Sequence, residues 1–139
     1  MHNYYIVSET ADRLRRYLED ELGECRNEDL QERLADLDNL EAVLDVDVIS
    51  NDVRTLSALG NETRYRLVRL LVEADDELCV CEITPLVSVS DSAVSHALSD
   101  LYDADLVTRR KEGTWRYYEA TERSTALLDA LDRTREGAR

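Results

Sequence analysis

The sequence predicts a mainly α-helical protein with one small β-hairpin, an α+β arrangement. Three observations support this class. Apolar residues recur at spacings of three and four along most of the chain, which is the period of an amphipathic helix. A late segment, VTRRKEGTWRYYEA at 107–120, has strand-prone residues on both sides of a turn. Only 4 glycines and 1 proline occur in 139 residues, which argues against a loop-rich fold.

Two narrow amphipathic helices are predicted at the start of the chain, over 10–22 and over 27–44, with Asn27 as the cap of the second. The flanks of both apolar stripes are highly charged. We therefore expect these helices to pack on a neighbour rather than to form a core alone. On this basis the chain divides into an N-terminal helical extension, 1–45, for dimerisation or effector binding, and a domain over 46–139.

The most apolar helices are predicted after residue 46. A helix over 47–59 should end at Gly60, because glycine is a common residue just past a helix end. Asn61 can cap the next helix, ETRYRLVRLLVEA at 62–74. The apolar content of this second helix is high enough for a central core element.

A helix with one polar face is predicted after the segment ELCVCEI at 77–83. Pro85 restricts the backbone before it, so any helix that contains the cysteines is short or begins late. Farther along, Ser90 is a good cap for the helix that follows. The face opposite its buried stripe carries short or polar side chains. The stripe itself is predicted to comprise Val94, Ala97, Leu98, Leu101 and Tyr102.

A basic hairpin and a last helix complete the chain. The hairpin turn is predicted at Glu112-Gly113, and four cations crowd its tip. The last segment, 122–137, predicts a helix with Leu127, Leu128 and Leu131 facing inward. Because this stripe is short, we expect the helix to be buried against another subunit.

The charge balance is strongly acidic, with 31 acidic against 17 basic residues and a net charge of −14. Such a balance normally argues against nucleic-acid partners, because phosphate contacts need cations. The acids are spread along the chain, however, and every base except Lys111 is arginine. This pattern favours adaptation to concentrated salt. No apolar run is long enough for a membrane span and no signal peptide is evident, so we expect a cytoplasmic protein that does not bind membranes.

The order of these elements is that of a winged helix-turn-helix: helix, turn, helix with a polar face, then a basic hairpin. In this arrangement the second helix enters the major groove of double-stranded DNA, and the hairpin, or wing, reaches the flanking phosphates. Either feature alone would more often be a solvated surface, but together they predict DNA binding. The candidate DNA-binding residues are Ser90, Ser92, Ser95, His96, Ser99, Arg109, Arg110, Lys111 and Arg116.

Four blocks of the sequence resemble the ArsR/SmtB family of metal-sensing repressors. They are ALGNETRYRLVRLL, ELCVCEI, SVSDSAVSHALSDLYDADLV and RRKEGTWRYYEAT, and the likeness runs from about 46 to 131. The resemblance implies a homodimer joined through the first and last helices of the domain. It also implies that the winged helix binds an inverted-repeat operator and that an inducer relieves repression. No cofactor is expected to be needed for DNA binding itself.

The cysteines are the candidate inducer ligands. Within the family, ELCVC resembles the start of the helix that gives thiolates to arsenic, antimony, cadmium or lead, which makes Cys79 and Cys81 candidate ligands. On an ideal helix residues two apart point in nearly opposite directions, whereas an extended or distorted segment brings both thiols to one side. Thr84 occupies the position of a third family cysteine, so we hypothesise that Cys25 completes a three-sulfur site for As(III) or Sb(III). The last helix has no histidine, so the family's zinc site is expected to be absent.

Two other interpretations remain. The protein could regulate transcription without a metal, its cysteines serving as core residues or as a redox switch, because free cysteine is commonly a small buried apolar group. An enzyme with a cysteine nucleophile and His96 as base is far less favoured. It would need the two groups to be adjacent, and His96 lies on the face assigned to DNA.

Overall fold

The computed structural model describes the backbone of residues 4–137 and the side chains of residues 11–135. The chain divides into two compact units, Met1–Val48 and Ile49–Arg139. No helix in the described part of the chain is long and apolar enough to cross a membrane.

The first unit contains two helices, α1 (Tyr4–Leu22) and α2 (Asn27–Glu41). Their apolar sides meet, and one leucine from each, Leu18 and Leu30, is buried. The predicted cap Asn27 is wrong. Arg26 is the cap residue, and its backbone N–H donates to the Asp29 carboxylate at 3.1 Å. Asn27 instead accepts a hydrogen bond on its Oδ1 from the guanidinium of Arg15, at 3.1 Å. Helix α2 also ends three residues before the predicted end at residue 44.

The second unit is a set of helices with a small antiparallel sheet. Its first two helices begin and end close to the predicted residues, and its last helix matches the predicted segment. The elements in chain order are α3 (Val46–Leu59), α4 (Glu62–Ala74), β1 (Leu78–Cys79), α5 (Val80–Ile83) with a 3-10 turn (Thr84–Leu86), α6 (Asp91–Asp103), β2 (Val107–Glu112), β3 (Trp115–Ala120) and α7 (Glu122–Gly137).

The core of this unit lies where α4 packs against α6, with β3 and α7 closing it. From α4 the core takes Leu67, Val68 and Leu71, all fully buried or nearly so. Helix α6 contributes its predicted stripe, except for Tyr102, which is 39% exposed. Because one side of α6 is committed to this core, its opposite side must face outward.

Two predicted caps are confirmed. Asn61 accepts a hydrogen bond from the backbone N–H of Arg64 at 3.0 Å and so begins α4. Ser90 accepts from the backbone N–H of Ala93 at 3.1 Å and so begins α6. Each side-chain oxygen satisfies one of the unpaired N–H groups of a helix start, which fixes where the helix begins.

The sheet has one more strand than the sequence predicted. Strands β2 and β3 form the expected hairpin, with Gly113 in the turn at φ 62°, a conformation that favours glycine. The additional strand β1 pairs with the far edge of β3, so the order is β1-β3-β2. This pairing sets Leu78 opposite Tyr118 and Cys79 opposite Tyr117. The cysteine segment is therefore attached directly to the base of the wing.

Helix α7 is held by one buried leucine and by polar contacts. Leu128 is fully buried, whereas Leu131, which was also predicted to face inward, is 45% exposed. The buried hydroxyl of Ser124 donates to the carbonyl of Leu106 near the start of β2. Arg69 of α4 donates from both terminal nitrogens to the carboxylate of Asp132, each at 3.0 Å.

Candidate nucleic-acid interface and thiol groove

The outward side of α6 presents the predicted polar face. Ser92, Ser95 and His96 are exposed, and Ser99 is half-buried. The His96 side chain is 83% exposed, and its Nε2 lies 3.9 Å from the Asp100 carboxylate, one turn farther along. Short side chains let a helix lie deep in a major groove, and an exposed imidazole can donate to a base edge or a phosphate. Ser90 lies at the start of this face, where its hydroxyl is occupied as the cap.

Arg64 of α4 contacts both the end of α3 and the last turn of α6. Arg64 donates from Nε to the carbonyl of Ala58 at 2.8 Å, which satisfies a free carbonyl at the end of α3. Its Nη1 also lies 3.5 Å from the Asp100 carboxylate on α6. The orientation of α6 relative to α3 is therefore fixed by a charged contact as well as by the apolar core.

The four cations of the wing lie on two different faces. In an antiparallel hairpin directly paired residues share a face, and faces alternate along each strand. Lys111 pairs with Arg116, and Arg109 pairs with Tyr118, so these three cations share one face. Arg110 pairs with Tyr117 and lies on the other face.

Arg110 is already neutralised by carboxylates. It donates to both oxygens of Glu77, at 2.6 and 3.2 Å, and to Glu112 at 2.8 Å, and it stacks on the Tyr117 ring at 4.5 Å. The hydrogen bonds to Glu77 and Glu112 raise the pKa of Arg110, and the hydrogen bond from Arg110 lowers the pKa of Glu77. Of the four predicted wing cations, Arg110 is the one least suited to a phosphate.

The other three cations line a basic groove of about 410 Å³, which Arg110 also borders. The guanidinium of Arg109 lies 3.8 Å from the centre of the Tyr102 ring, so α6 holds this wing residue in place. Within the described part of the chain, no ion pair joins these three cations to a carboxylate. Their charge is available to a phosphate. The groove is lined by Tyr102, Arg109, Arg110, Lys111, Arg116 and Tyr118.

The two neighbouring cysteines lie at the junction of a strand and a helix. Cys79 ends β1 with extended backbone, φ −69° and ψ 146°, and Cys81 lies in the first turn of α5. The Sγ of Cys79 accepts a hydrogen bond from the backbone N–H of Cys81 at 3.3 Å, and the Cys79 N–H donates to the Glu82 carboxylate at 2.8 Å. The strand–helix junction leaves both cysteines in the lining of one groove.

The two thiols differ in exposure. Cys79 is only 5% exposed, whereas Cys81 is exposed. The hydrogen bond with Cys79 raises the pKa of the Cys81 thiol, and burial and the charge of Glu82 act in the same direction. Cys81 therefore keeps its proton more firmly than a free cysteine. A thiophilic ion would displace that proton when it binds.

Both cysteines open into a second groove, of about 420 Å³, that we call the thiol groove. Thr84, at the position of the missing third cysteine, lies in its wall, and its hydroxyl donates to the Val80 carbonyl at 2.9 Å. The opposite walls come from the start of α6 and from the tip of the wing. The full lining is Cys79, Val80, Cys81, Thr84, Asp91, Ser95, Thr114, Trp115 and Arg116.

Cys25 lies between α1 and α2, in the other unit. It is half-buried, and its Sγ donates a long hydrogen bond of 3.6 Å to the carbonyl of Arg26. Across the described residues, no group of three or more His, Cys, Asp or Glu side chains is arranged to hold a metal ion.

Three residues of the interface were not predicted from the sequence. Glu77 holds Arg110, Tyr102 supports Arg109, and Trp115, which is 54% exposed, forms a wall of the thiol groove. An exposed tryptophan beside a hairpin turn was the one sequence signal that could have indicated a binding surface. The roles of Glu77 and Tyr102 depend on contacts between elements that are distant in sequence.

Comparisons with known proteins agree on one family. A family model described as "Bacterial regulatory protein, arsR family" matches residues 61–109. The chain is 52% identical over 126 residues to the "Putative arsenical resistance operon repressor ArsR" of Halobacterium salinarum, which covers 91% of this chain and 98% of that protein. Because the match covers 91% of this chain, it includes most of the N-terminal unit. The family model begins at residue 61 and does not reach that unit.

Two solved structures support the same fold. HlyU from Vibrio cholerae has a TM-score of 0.58 at 30% identity, covering 65% of this chain and 97% of that chain. A fragment of Mb0332 from Mycobacterium bovis has a TM-score of 0.55 at 28% identity, covering 65% of this chain and 82% of that chain. The second is described as a homodimeric winged helix-turn-helix DNA-binding domain, which confirms the predicted fold class.

Proposed function

The chain belongs to the ArsR family of regulatory proteins, and from that premise we propose that it is a homodimeric repressor that a thiophilic metalloid releases from its operator. The broader part of this statement is established. The chain is an ArsR-family transcriptional repressor with a DNA-binding winged helix-turn-helix. Its relatives are transcriptional regulators, so the enzyme interpretation is excluded. The haloarchaeal relative also supports the prediction of a salt-adapted protein.

The observation that carries the proposed inducer is the strand–helix junction at Cys79 and Cys81. An ideal helix would turn these thiols apart, but here Cys79 has extended backbone and both cysteines line the thiol groove. Two neighbouring thiols select soft, thiophilic ions over hard ones. Arsenite and antimonite are the favoured inducers, and cadmium and lead are the next candidates. The name of the Halobacterium relative supports the choice of arsenic.

Cys25 is proposed to supply the third sulfur that As(III) and Sb(III) prefer. It is the only remaining cysteine of the chain. Thr84 is unsuited to this role because its side chain has no sulfur and its hydroxyl already bonds to Val80. The loop that holds Cys25 would provide the ligand from the same or the partner subunit. Among the described residues, the Cys25 Sγ makes one long hydrogen bond, so little would be lost when it binds an ion.

Induction would work through the attachment of the cysteine segment to the wing. Cys79 is paired to β3 of the wing, and Cys81 lies in the first turn of the short helix that leads to α6. An ion held by both sulfurs would stabilise one geometry of this junction. The ligand shifts the equilibrium only as far as its affinities for the DNA-binding and released forms differ.

The proposed dimer interface is the outer face of α3 with α7. Exposed apolar residues recur along α3 at spacings of three and four, while Thr55 and Ala58 on its other side are buried. Such a contiguous exposed stripe is typical of a protein–protein interface. The homodimeric neighbour supports this assembly, and the N-terminal unit is proposed to extend it. The stripe consists of Val46, Ile49, Val53 and Leu56.

The proposed inducer can be tested by DNA release. Fluorescence anisotropy would follow a palindromic site, obtained by in vitro selection, during titration with arsenite, antimonite, cadmium, lead and zinc. Arsenite or antimonite should release the wild-type protein at the lowest concentration. Cys79→Ser and Cys81→Ser should each bind the same DNA without responding. If no thiophile releases the wild-type protein, the proposed inducer is wrong and the interpretation without a metal replaces it. The burial of Cys79 is the observation that favours that second interpretation.

The third ligand is tested separately. X-ray absorption of the arsenite complex should give three sulfur neighbours for the wild-type protein and two for Cys25→Ser. An unchanged number would remove Cys25 from the site while leaving the Cys79–Cys81 pair in place.

A further inference from the structure

We propose that DNA and any group covalently attached to Cys81 compete for the thiol groove. A monofunctional thiol-reactive electrophile that has reacted with Cys81 therefore also prevents DNA binding. The proposal rests on the DNA interface of the proposed function, and it adds an inactivation route that needs neither a metal nor a second thiol.

The first argument is the composition of the groove walls. One wall is the cysteine junction, and the other two are parts of the candidate DNA interface. Asp91 and Ser95 are four residues apart and therefore lie on one side of α6. Arg116 makes no ion pair with a described carboxylate, and it lines both the thiol groove and the basic groove. A duplex that contacts both Ser95 and Arg116 must pass over the space between them.

The second argument is access. Cys81 is exposed, whereas Cys79 is 5% exposed, so an electrophile meets one thiol of this pair. The groove, at about 420 Å³, accepts an adduct of several heavy atoms beside the ring of Trp115. An adduct there fills the space between Ser95 and Arg116. A DNA backbone held by those residues would need the same space.

The reaction is an ordinary thiol alkylation. With N-ethylmaleimide, the Cys81 thiolate adds to the carbon–carbon double bond. One S–C bond forms, the π bond breaks, and the neighbouring carbon takes a proton from water. No group leaves and no oxidant is consumed. With iodoacetamide, an S–C bond forms and iodide leaves. The reactions are run at mildly alkaline pH, because the thiolate is the nucleophile.

Monofunctional reagents separate this route from chelation. A metalloid acts by joining two or three sulfurs, and it changes the shape of the junction. N-ethylmaleimide forms a single bond and cannot join them. If shape change through chelation were the sole route to release, an adduct on Cys81 alone would leave DNA affinity unchanged.

The affinity test uses the full-length Cys25→Ser protein, with the label located at Cys81 by peptide mass spectrometry. Circular dichroism checks that the labelled protein is folded. The acetamide adduct should weaken DNA binding by about tenfold, the equivalent of one lost specific contact, and the larger succinimide adduct should weaken it more. Cys81→Ser is the matched control, since it retains Cys25 and takes its label in the other unit. Its DNA affinity should not change on labelling. A fully labelled, folded Cys25→Ser protein with unchanged affinity would overturn the proposal.

A protection test needs no substitution. Saturating DNA should slow alkylation of wild-type Cys81 by about tenfold or more, because about a tenth of the protein or less then has a groove free of DNA. Equal rates with and without DNA would overturn the shared groove. The two proposals fail separately. Arsenite that releases DNA while adducts do not would leave only the inducer proposal. Adducts that release DNA while arsenite does not would leave only the shared groove.

Discussion

The two neighbouring cations of the wing should contribute unequally to DNA binding. Lys111 and Arg110 are adjacent in sequence and carry the same charge, but they lie on opposite faces of the hairpin. Lys111 makes no ion pair with a described carboxylate, whereas Arg110 is bound by Glu77 and Glu112. We therefore predict that Lys111→Ala removes a phosphate contact and that Arg110→Ala, its matched control, does not.

The magnitude follows from counterion release. Each neutralised phosphate contributes about −0.9 to the slope of log K against log salt, and a homodimer with one such contact per subunit loses two. The slope for Lys111→Ala should therefore be less steep by about 1.8. Over a rise in salt of about fourfold, the wild-type protein should lose about twelvefold more affinity than the variant. Arg110→Ala should keep the wild-type slope. The uncompensated carboxylates that it leaves should cause only a small loss of affinity, which salt screens.

The assay is a series of fluorescence anisotropy titrations in potassium chloride, on the selected palindromic site and on an unrelated duplex of equal length. Lys111→Ala should weaken binding to both duplexes alike, because phosphate contacts carry no sequence information. Equal slopes for Lys111→Ala and the wild-type protein, or a slope change confined to Arg110→Ala, would show that the face of the hairpin has been misassigned. A loss confined to the palindromic site would place Lys111 on base edges instead of phosphates.

Three further predictions concern assembly and stability. Leu56→Asp in the α3 stripe should give a monomer in sedimentation velocity. Leu86→Asp, at the same 61% exposure, is the control and should leave the proposed dimer intact. A dimeric Leu56→Asp protein would contradict the proposed interface. Asp132→Asn should lower the thermal midpoint near neutral pH, because Arg69 holds the pKa of Asp132 below 3.8. This stabilisation is complete above the unfolded pKa and is lost as pH falls through the folded pKa, so the two midpoints should converge in strong acid. Ser90→Ala should cost about 1 kcal/mol in urea unfolding, and Ser90→Thr much less, since threonine keeps a capping oxygen; equal losses would argue against the cap as the role of Ser90.

Much of the fold followed from local sequence patterns. The apolar period predicted the helices of both units, and single polar residues such as Asn61 and Ser90 fixed where two of them begin. These signals are local, because a cap bonds to a backbone N–H three residues away. The same local rule misled at Asn27, where the neighbouring Arg26 is the cap and Asn27 bonds to α1. Arginine is not a preferred capping residue, so the start of α2 depends on the Asp29 carboxylate and on the contact of Asn27 with the other helix.

The arrangement of the DNA interface could be predicted only in part. The sequence showed a polar helix face and a basic hairpin, but it did not show which cations were already paired. Arg110 is neutralised by Glu77, a residue 33 positions away, and Arg109 is held by Tyr102 of another element. Tyr102 was placed in the buried stripe because its spacing fits one. At the end of α6, however, the core gives way to the wing, and the ring stacks on a guanidinium instead.

The geometry of the cysteine pair shows why spacing alone could not decide its chemistry. Two residues apart on a helix, the thiols would diverge, and on a strand they would lie on one side. The structure combines both conformations, with Cys79 in the strand and Cys81 in the helix. The boundary falls between them because β1 pairs with β3, at residues almost forty positions later in the chain. The wing therefore both carries candidate DNA-binding residues and holds Cys79 in the extended backbone that turns its sulfur toward the Cys81 N–H. A thiophile bound to this pair, as we propose, would act on a segment that the wing itself keeps in place, and this would couple the two sites without a long chain of intermediate contacts.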